Sequence, residues 1–194
     1  MRIDKLKKHY DIEIRWRAFP LHPETPEQGL TLEELFAGRD MDIPGMLAKL
    51  KAVAEELGLP WGIRNKTYNS RMAQELGKWA EQKGGGDVYH DTVFRAYFVN
   101  GKNIAKEQVL MDLAKGIGLD DRQAQEALQS RAFKSAVDED WSLSREYGVT
   151  AVPTFIIRDQ GVVGAQPYEV LEQFLRNNGV QKRSGIGVLS QKHL

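Results

Sequence analysis

The sequence predicts an α/β protein in which a large all-helical insertion interrupts a small sheet, and three observations carry that prediction. Residues 11–19 alternate apolar and charged side chains, the pattern of a half-buried strand. From Thr31 to about Arg145 apolar residues recur at three- and four-residue spacing, as in a succession of amphipathic helices. Strand character returns only at Thr154–Arg158 and Val162–Gly164, directly after Val152-Pro153.

Taken in order, residues 1–10 read as the tail of a helix, with Ile3, Leu6 and Tyr10 at helical spacing and lysines toward water. Ile12, Ile14, Trp16 and Ala18 then form one face of a strand, which Pro20 stops; Leu21–Gly29 is proline-rich and reads as a loop. Thr31 followed by Glu33 and Glu34 opens a short helix, and Asp42-Ile43-Pro44 opens another whose apolar stripe is Leu47, Leu50, Val53, Ala54 and Leu57, ended by Gly58. Asn69-Ser70 caps the next helix, with Met72, Ala73, Leu76 and Ala80 inward and Gly84-Gly85-Gly86 as its stop. Asp87–Val99 is expected to fill the core of the helical region through Val93, Phe94, Tyr97 and Phe98. Asn103–Lys115, Asp120–Ala132 and a helix from about Lys134 to Tyr147 follow. Thr154–Arg158 and Val162–Gly164 flank a hairpin-like turn at Asp159-Gln160-Gly161. Pro167 begins a last helix that closes near Asn178-Gly179, and residues 180–194 lack periodicity and read as a flexible tail.

Composition narrows the function classes. Lysine plus arginine (27) equals aspartate plus glutamate (27), so no overall field recruits nucleic acid or an anionic membrane. No apolar run approaches a membrane span, and residues 1–8 are charged throughout, so a cytoplasmic protein is expected. The 194 residues contain no cysteine, which removes thiolate chemistry, disulfides and zinc–cysteine sites from this polypeptide. His9, His22, His90 and His193 are scattered without metal-ligand spacing and read as surface or loop residues, so neither a metal site nor a catalytic residue is assigned. Asn65-Lys66-Thr67 fits the glycosylation acceptor pattern by chance, and Asp138, Glu139 and Asp140 read as a charged helix start. Pro153 carries the most information: proline cannot donate to a ladder, so its place before the apolar run Phe155–Ile157 marks a special backbone junction.

That element order, together with five stretches in sequence, resembles the DsbA family of thioredoxin-like proteins, in the FrnE-like branch close to 2-hydroxychromene-2-carboxylate isomerases. The stretches are Ile14–Pro23, Asn69-Ser70 with Ala73, Phe94–Phe98, Gly148–Phe155 and Gly164–Pro167. The resemblance implies a thioredoxin-like fold with residues 1–30 and 148–179 in the thioredoxin-like part, 31–147 as the helical insertion and 180–194 as the tail. In this family the proline matching Pro153 is cis and lies beside a Cys-x-x-Cys pair that follows a first, central strand. Neither that strand nor the cysteines occur here, and the sequence is expected to be an N-terminal truncation of a longer protein.

By the same resemblance, Ala151, Val152, Pro153 and Thr154 would bind an extended peptide or a glutathione-like tripeptide, with Asn65 and Asn69 as further substrate contacts. The expected function is that of a DsbA-like thiol–disulfide oxidoreductase family member, this chain being itself redox-inactive. The competing expectations are a glutathione-dependent isomerase of the chromene-carboxylate type and a non-catalytic, chaperone-like peptide binder. No cofactor is expected beyond glutathione as ligand or substrate; a homodimer is the one protein assembly foreseen.

Overall fold

The structure, a computed structural model, describes residues 2–183. In chain order its elements are α1 (Arg2–His9), β1 (Leu30–Thr31), α2 (Leu32–Leu35), α3 (Ile43–Glu56), β2 (Lys66–Thr67), α4 (Arg71–Gln82), α5 (Gly86–Phe98), α6 (Glu107–Gly116), α7 (Asp121–Gln129), α8 (Lys134–Glu146), β3 (Thr154–Ile157), β4 (Gln160–Val163) and α9 (Tyr168–Asn177). Two compact units emerge, residues 1–19 with 143–194 and residues 20–142, where the sequence suggested 1–30 with 148–179 and 31–147. No helix among the described residues is long and apolar enough to cross a membrane.

The helical unit is built from local signals that the sequence displays. Thr31 and Glu34 form a reciprocal capping box, each side chain accepting from the other's backbone N–H. Asp42 caps α3 ahead of Pro44, and Asp120 caps α7. The core is one cluster in which Ala73, Leu76, Trp79 and Ala80 of α4 meet Tyr89, Val93 and Ala96 of α5, Leu110, Leu113 and Ala114 of α6, and Ala124 and Leu128 of α7. Each fully buried leucine in it contributes about 1.5–3 kcal/mol of hydrophobic stabilisation.

Three expectations for this unit need correction, and one pairing was not foreseen. On α5 the buried face is Tyr89, Val93 and Ala96, while Phe94 and Phe98 are 44% and 42% exposed, because only one stripe of a 3.6-residue helix can face the neighbouring helices. On α3 only Ala54 is buried, and Leu50, Val53 and Leu57 lie open to solvent. Asn103 does not start a helix; its Oδ1 accepts from Ala105 N and its Nδ2 donates to Glu27 O, and α6 begins at Glu107. A two-stranded antiparallel pairing of β1 with β2 was not foreseen, since two-residue strands carry no periodic signal.

The other unit gathers α1, β3, β4 and α9 around Leu6, Tyr10, Leu171 and Leu175, with Phe155, Ile157 and Val162 packed against them. β3 pairs antiparallel with β4 from Thr154↔Val163 to Ile157↔Gln160, so the turn is the dipeptide Arg158-Asp159 rather than residues 159–161. Arg158 takes a left-handed backbone (φ 57°) to make so tight a connection.

The clearest strand expectation is also the clearest correction. Residues 11–19 join neither sheet, although Ile12, Ile14, Trp16 and Ala18 are half-buried and Asp11, Glu13, Arg15 and Arg17 exposed. Alternation reports a two-sided environment; a strand also needs a ladder partner, which a single segment cannot specify. Tyr10 instead bridges to Lys182, Asp11 N donates to Gln181 O, and Arg183 N donates to His9 O. Residues 180–183 are therefore tied to the chain's beginning, and the remainder of the expected tail, 184–194, lies outside the described residues together with His193.

Candidate functional site

The segment singled out by Pro153 is assembled between two fixed ends. Gly148 (φ 64°) closes α8 with its N–H on Arg145 O, and Val149 N donates to Ser144 O, so the chain leaves the helix by a glycine-terminated exit. At the far end β3 starts at Thr154, and Gly164 N donates to Pro153 O over 2.7 Å. Between these ties Ala151, Val152 and Pro153 are exposed, and the Val152–Pro153 peptide is cis. Thr154 Oγ1 donates to Ala151 O at 2.7 Å, closing a small side-chain-to-backbone loop over the exposed residues. Among the described residues neither the N–H nor the carbonyl of Val152 has a hydrogen-bond partner. A free amide and a free carbonyl on an exposed approach to a strand are what an added peptide strand requires.

Asn65 and Asn69 belong to the helical unit and flank β2 there. Asn65 is exposed. Asn69 is occupied: its Oδ1 accepts from Arg71 N, and its Nδ2 donates to Pro23 O and Thr25 O, which pins the proline-rich loop to the start of α4. The structure thus brings Ala151, Val152, Pro153 and Thr154 together in one unit and gives Asn69 a structural task in the other.

Two features of the helical unit escaped the sequence reading. The first is a groove of about 270 Å3 lined by Leu47, Lys51, Trp61, Gly62, Ile63, Arg64 and Phe98. Gly62 makes it possible, because a Cβ there would lie 1.8 Å from Val99 O, and the glycine N–H donates to Phe98 O. The Arg64 guanidinium is held over the Tyr97 and Phe98 rings at 4.6 and 5.5 Å and donates to Lys66 O, Thr67 Oγ1 and Tyr97 Oη, all uncharged acceptors. The second is a buried charge cluster. Glu75 is 2% exposed and accepts from Arg71 Nε (2.6 Å), Arg131 Nε (2.6 Å) and Arg131 Nη2 (2.7 Å). Burial alone would push the Glu75 carboxyl up, but its hydrogen bonds to Arg131 and Arg71 and their charges hold it below its ordinary value. Asp140, which read as part of a charged helix start, is also buried and pairs with Lys78 at 2.7 Å. The Arg71/Glu75 spacing of four was the one sequence signal for the cluster.

His9 Nδ1 meets Tyr168 Oη at 2.8 Å, His90 Nε2 meets Glu81 at 3.1 Å, and His22 packs edge-on to Phe36. Among the described residues no group of three or more histidines and carboxylates is placed to hold a metal ion.

With this geometry in place the chain can be set beside known proteins. Residues 1–176 match the DSBA-like thioredoxin domain. An uncharacterised protein of Bacillus subtilis strain 168, YwbO, is 29% identical over 181 residues, covering 90% of this chain and 86% of its own. A probable DsbA oxidoreductase from Streptomyces coelicolor superposes with a TM-score of 0.82 at 26% identity, over 97% of this chain and 86% of that one. A 2-hydroxychromene-2-carboxylate isomerase superposes with a TM-score of 0.71 at 22% identity, over 92% and 85% of the two chains, and shares the fold.

Proposed function

This chain belongs to the DSBA-like thioredoxin domain family, and from that premise we propose that it supplies the substrate-binding side of a thiol–disulfide oxidoreductase. The ligand is an extended peptide or a small thiol such as glutathione, held by the backbone of Ala151 and Val152 beside Pro153 and Thr154. The observation that carries the reading is the exposed Val152 amide and carbonyl at the entry to β3, both without an internal partner among the described residues. Two such bonds contribute about 0.5–1.5 kcal/mol each, enough to orient a peptide and too little to bind it tightly. With no cysteine in its 194 residues, this polypeptide binds its substrate without exchanging disulfides with it. Cytoplasmic residence is part of the same reading and is tested by cell fractionation. The decisive measurement is isotope-labelled NMR titration with oxidised glutathione and with a short extended peptide. Amide shifts centred on residues 151–154 are expected; saturation without any change there would overturn the assignment. The chain should also leave the reduction of insulin by dithiothreitol at its uncatalysed rate, and clear acceleration would refute the redox-silent reading.

The groove of the helical unit favours a second reading. Apolar walls from Leu47, Trp61 and Phe98 with Lys51 and Arg64 at hand suit an aromatic carboxylate, and a chromene carboxylate is one. Glutathione-dependent turnover of that compound, lost on Arg64→Leu, would favour isomerisation over disulfide chemistry.

A further inference from the structure

The outward face of α3 is an apolar seam with no occupant among the described residues. Met46, Leu50, Val53 and Leu57 are spaced four, three and four apart, so they fall within a stripe about 60° wide on a 3.6-residue helix. Leu50 and Val53 are each 46% exposed and Leu57 38%. The helix spends a different side on its own unit, where Ala54 is buried and Leu47 lines the groove. Met41 and Leu59, just beyond the two ends, are exposed as well.

Charge decides what covers the seam. Lys49 and Glu56 lie along the same edge of the stripe, seven residues apart, and neither side chain has an ion pair or hydrogen bond among the described residues. Lys51 and Glu55, by contrast, point away from the seam and pair with each other at 3.7 Å. An unpaired cation and an unpaired anion on one edge are complementary to their own copies under a twofold axis that reverses the helix direction.

We propose that α3 is a self-association surface on which two copies of this chain pair antiparallel. Leu50 meets Val53 of the second copy, Met46 meets its Leu57, and the twofold axis passes between residues 51 and 52. This register brings Lys49 to within about 3 Å of axial rise of the opposite Glu56, and does so twice. A parallel pairing, with the twofold along the helices, puts the two Lys49/Glu56 edges on opposite sides of the seam, leaves all four charges without a complementary partner and is disfavoured. One helix pair of this length buries less area than a standard interface, so the dimer is weak and concentration-dependent.

Sedimentation velocity on the full chain across a micromolar-to-millimolar series tests it. Val53→Glu should abolish the dimer, and Lys49→Glu should raise its dissociation constant roughly three- to tenfold. The double exchange Lys49→Glu with Glu56→Lys should restore wild-type association, and far-UV circular dichroism should be unchanged in all three. Since the chain has no cysteine, Leu50→Cys and Val53→Cys can be mixed directly and oxidised. A 50-to-53 crosslink is expected in excess over 50-to-50. A wild-type chain that stays monomeric throughout, a double exchange no better than the single, or predominant 50-to-50 linkage would each overturn the proposal.

Discussion

Replacing Glu75 by glutamine removes one charge from the centre of the helical unit and leaves the shape of the side chain intact. Three short charge-assisted hydrogen bonds converge on that carboxylate, from Arg71 at 2.6 Å and from Arg131 at 2.6 and 2.7 Å. Glutamine keeps one acceptor and turns an N–H₂ toward a guanidinium, so donor faces donor. Removing one partner of a fully buried pair costs about 3–5 kcal/mol. Here Arg71 retains Asp138 at 2.7 Å, Lys134 O and the face of Trp141, and the Arg131 side chain is 42% exposed, so water takes up part of the loss. The expected destabilisation is about 2–3 kcal/mol, or about 5–10 °C in Tm. Urea unfolding followed by tryptophan fluorescence measures it. The pH dependence supplies the sign: the Glu75 carboxyl sits below its ordinary value of 4.5 in the folded chain, so its contribution is full above that pH and disappears as pH falls through the depressed value. The stability gap between wild type and Glu75→Gln should therefore close in acid. A gap under about 0.5 kcal/mol at neutral pH, or one that stays constant down to acid, would refute the view that this carboxylate holds the cluster together.

Arg131 adopts a left-handed backbone with φ 53°, so Arg131→Gly should be about 1 kcal/mol more stable than Arg131→Ala in the same unfolding assay, both having lost the ion pair. Gly62→Ala should cost several times more than Gly161→Ala by thermal melting, because the new Cβ meets Val99 O at 1.8 Å in the first case and nothing nearer than 3.9 Å in the second. Thr154→Val deletes the bond to Ala151 O; the expected outcome is binding of extended peptide weakened a few-fold by calorimetry, with a loss of about 1 kcal/mol or less in overall stability.

Local signals were legible where a residue acts on its own neighbours. The Thr31/Glu34 box, the Asp42 and Asp120 caps and the Gly148 exit stand in the sequence as they stand in the fold, since each is settled within four residues. What depended on distant partners was not. Residues 11–19 have a strand's pattern and no place in either sheet, while β1 and β2 have a place and no pattern. The apolar stripe of α3 is plain in the sequence, but periodicity marks an apolar face without saying whether the protein itself covers it. At the candidate site, Pro153 announced itself by being incompatible with a ladder. Asn69 shows the opposite limit: an amide beside a loop looks available until its three backbone partners are known.

The packing of residues 2–10 against residues 165–175 has a consequence in time. Tyr10 donates to Glu172, Arg2 donates to Ala165 O, and Leu6 packs with Leu171 and Leu175, contacts that span more than 160 residues. A two-stranded hairpin such as β3–β4 is marginal by itself and depends on that packing. On the ribosome residues 2–10 emerge well before their partners at 165–175, and the helical unit encoded between them, rich in local contacts, can fold in the interval. The segment bearing Pro153 thus gains its packed support only after the helical unit has been made, and peptide binding should begin after that unit has folded.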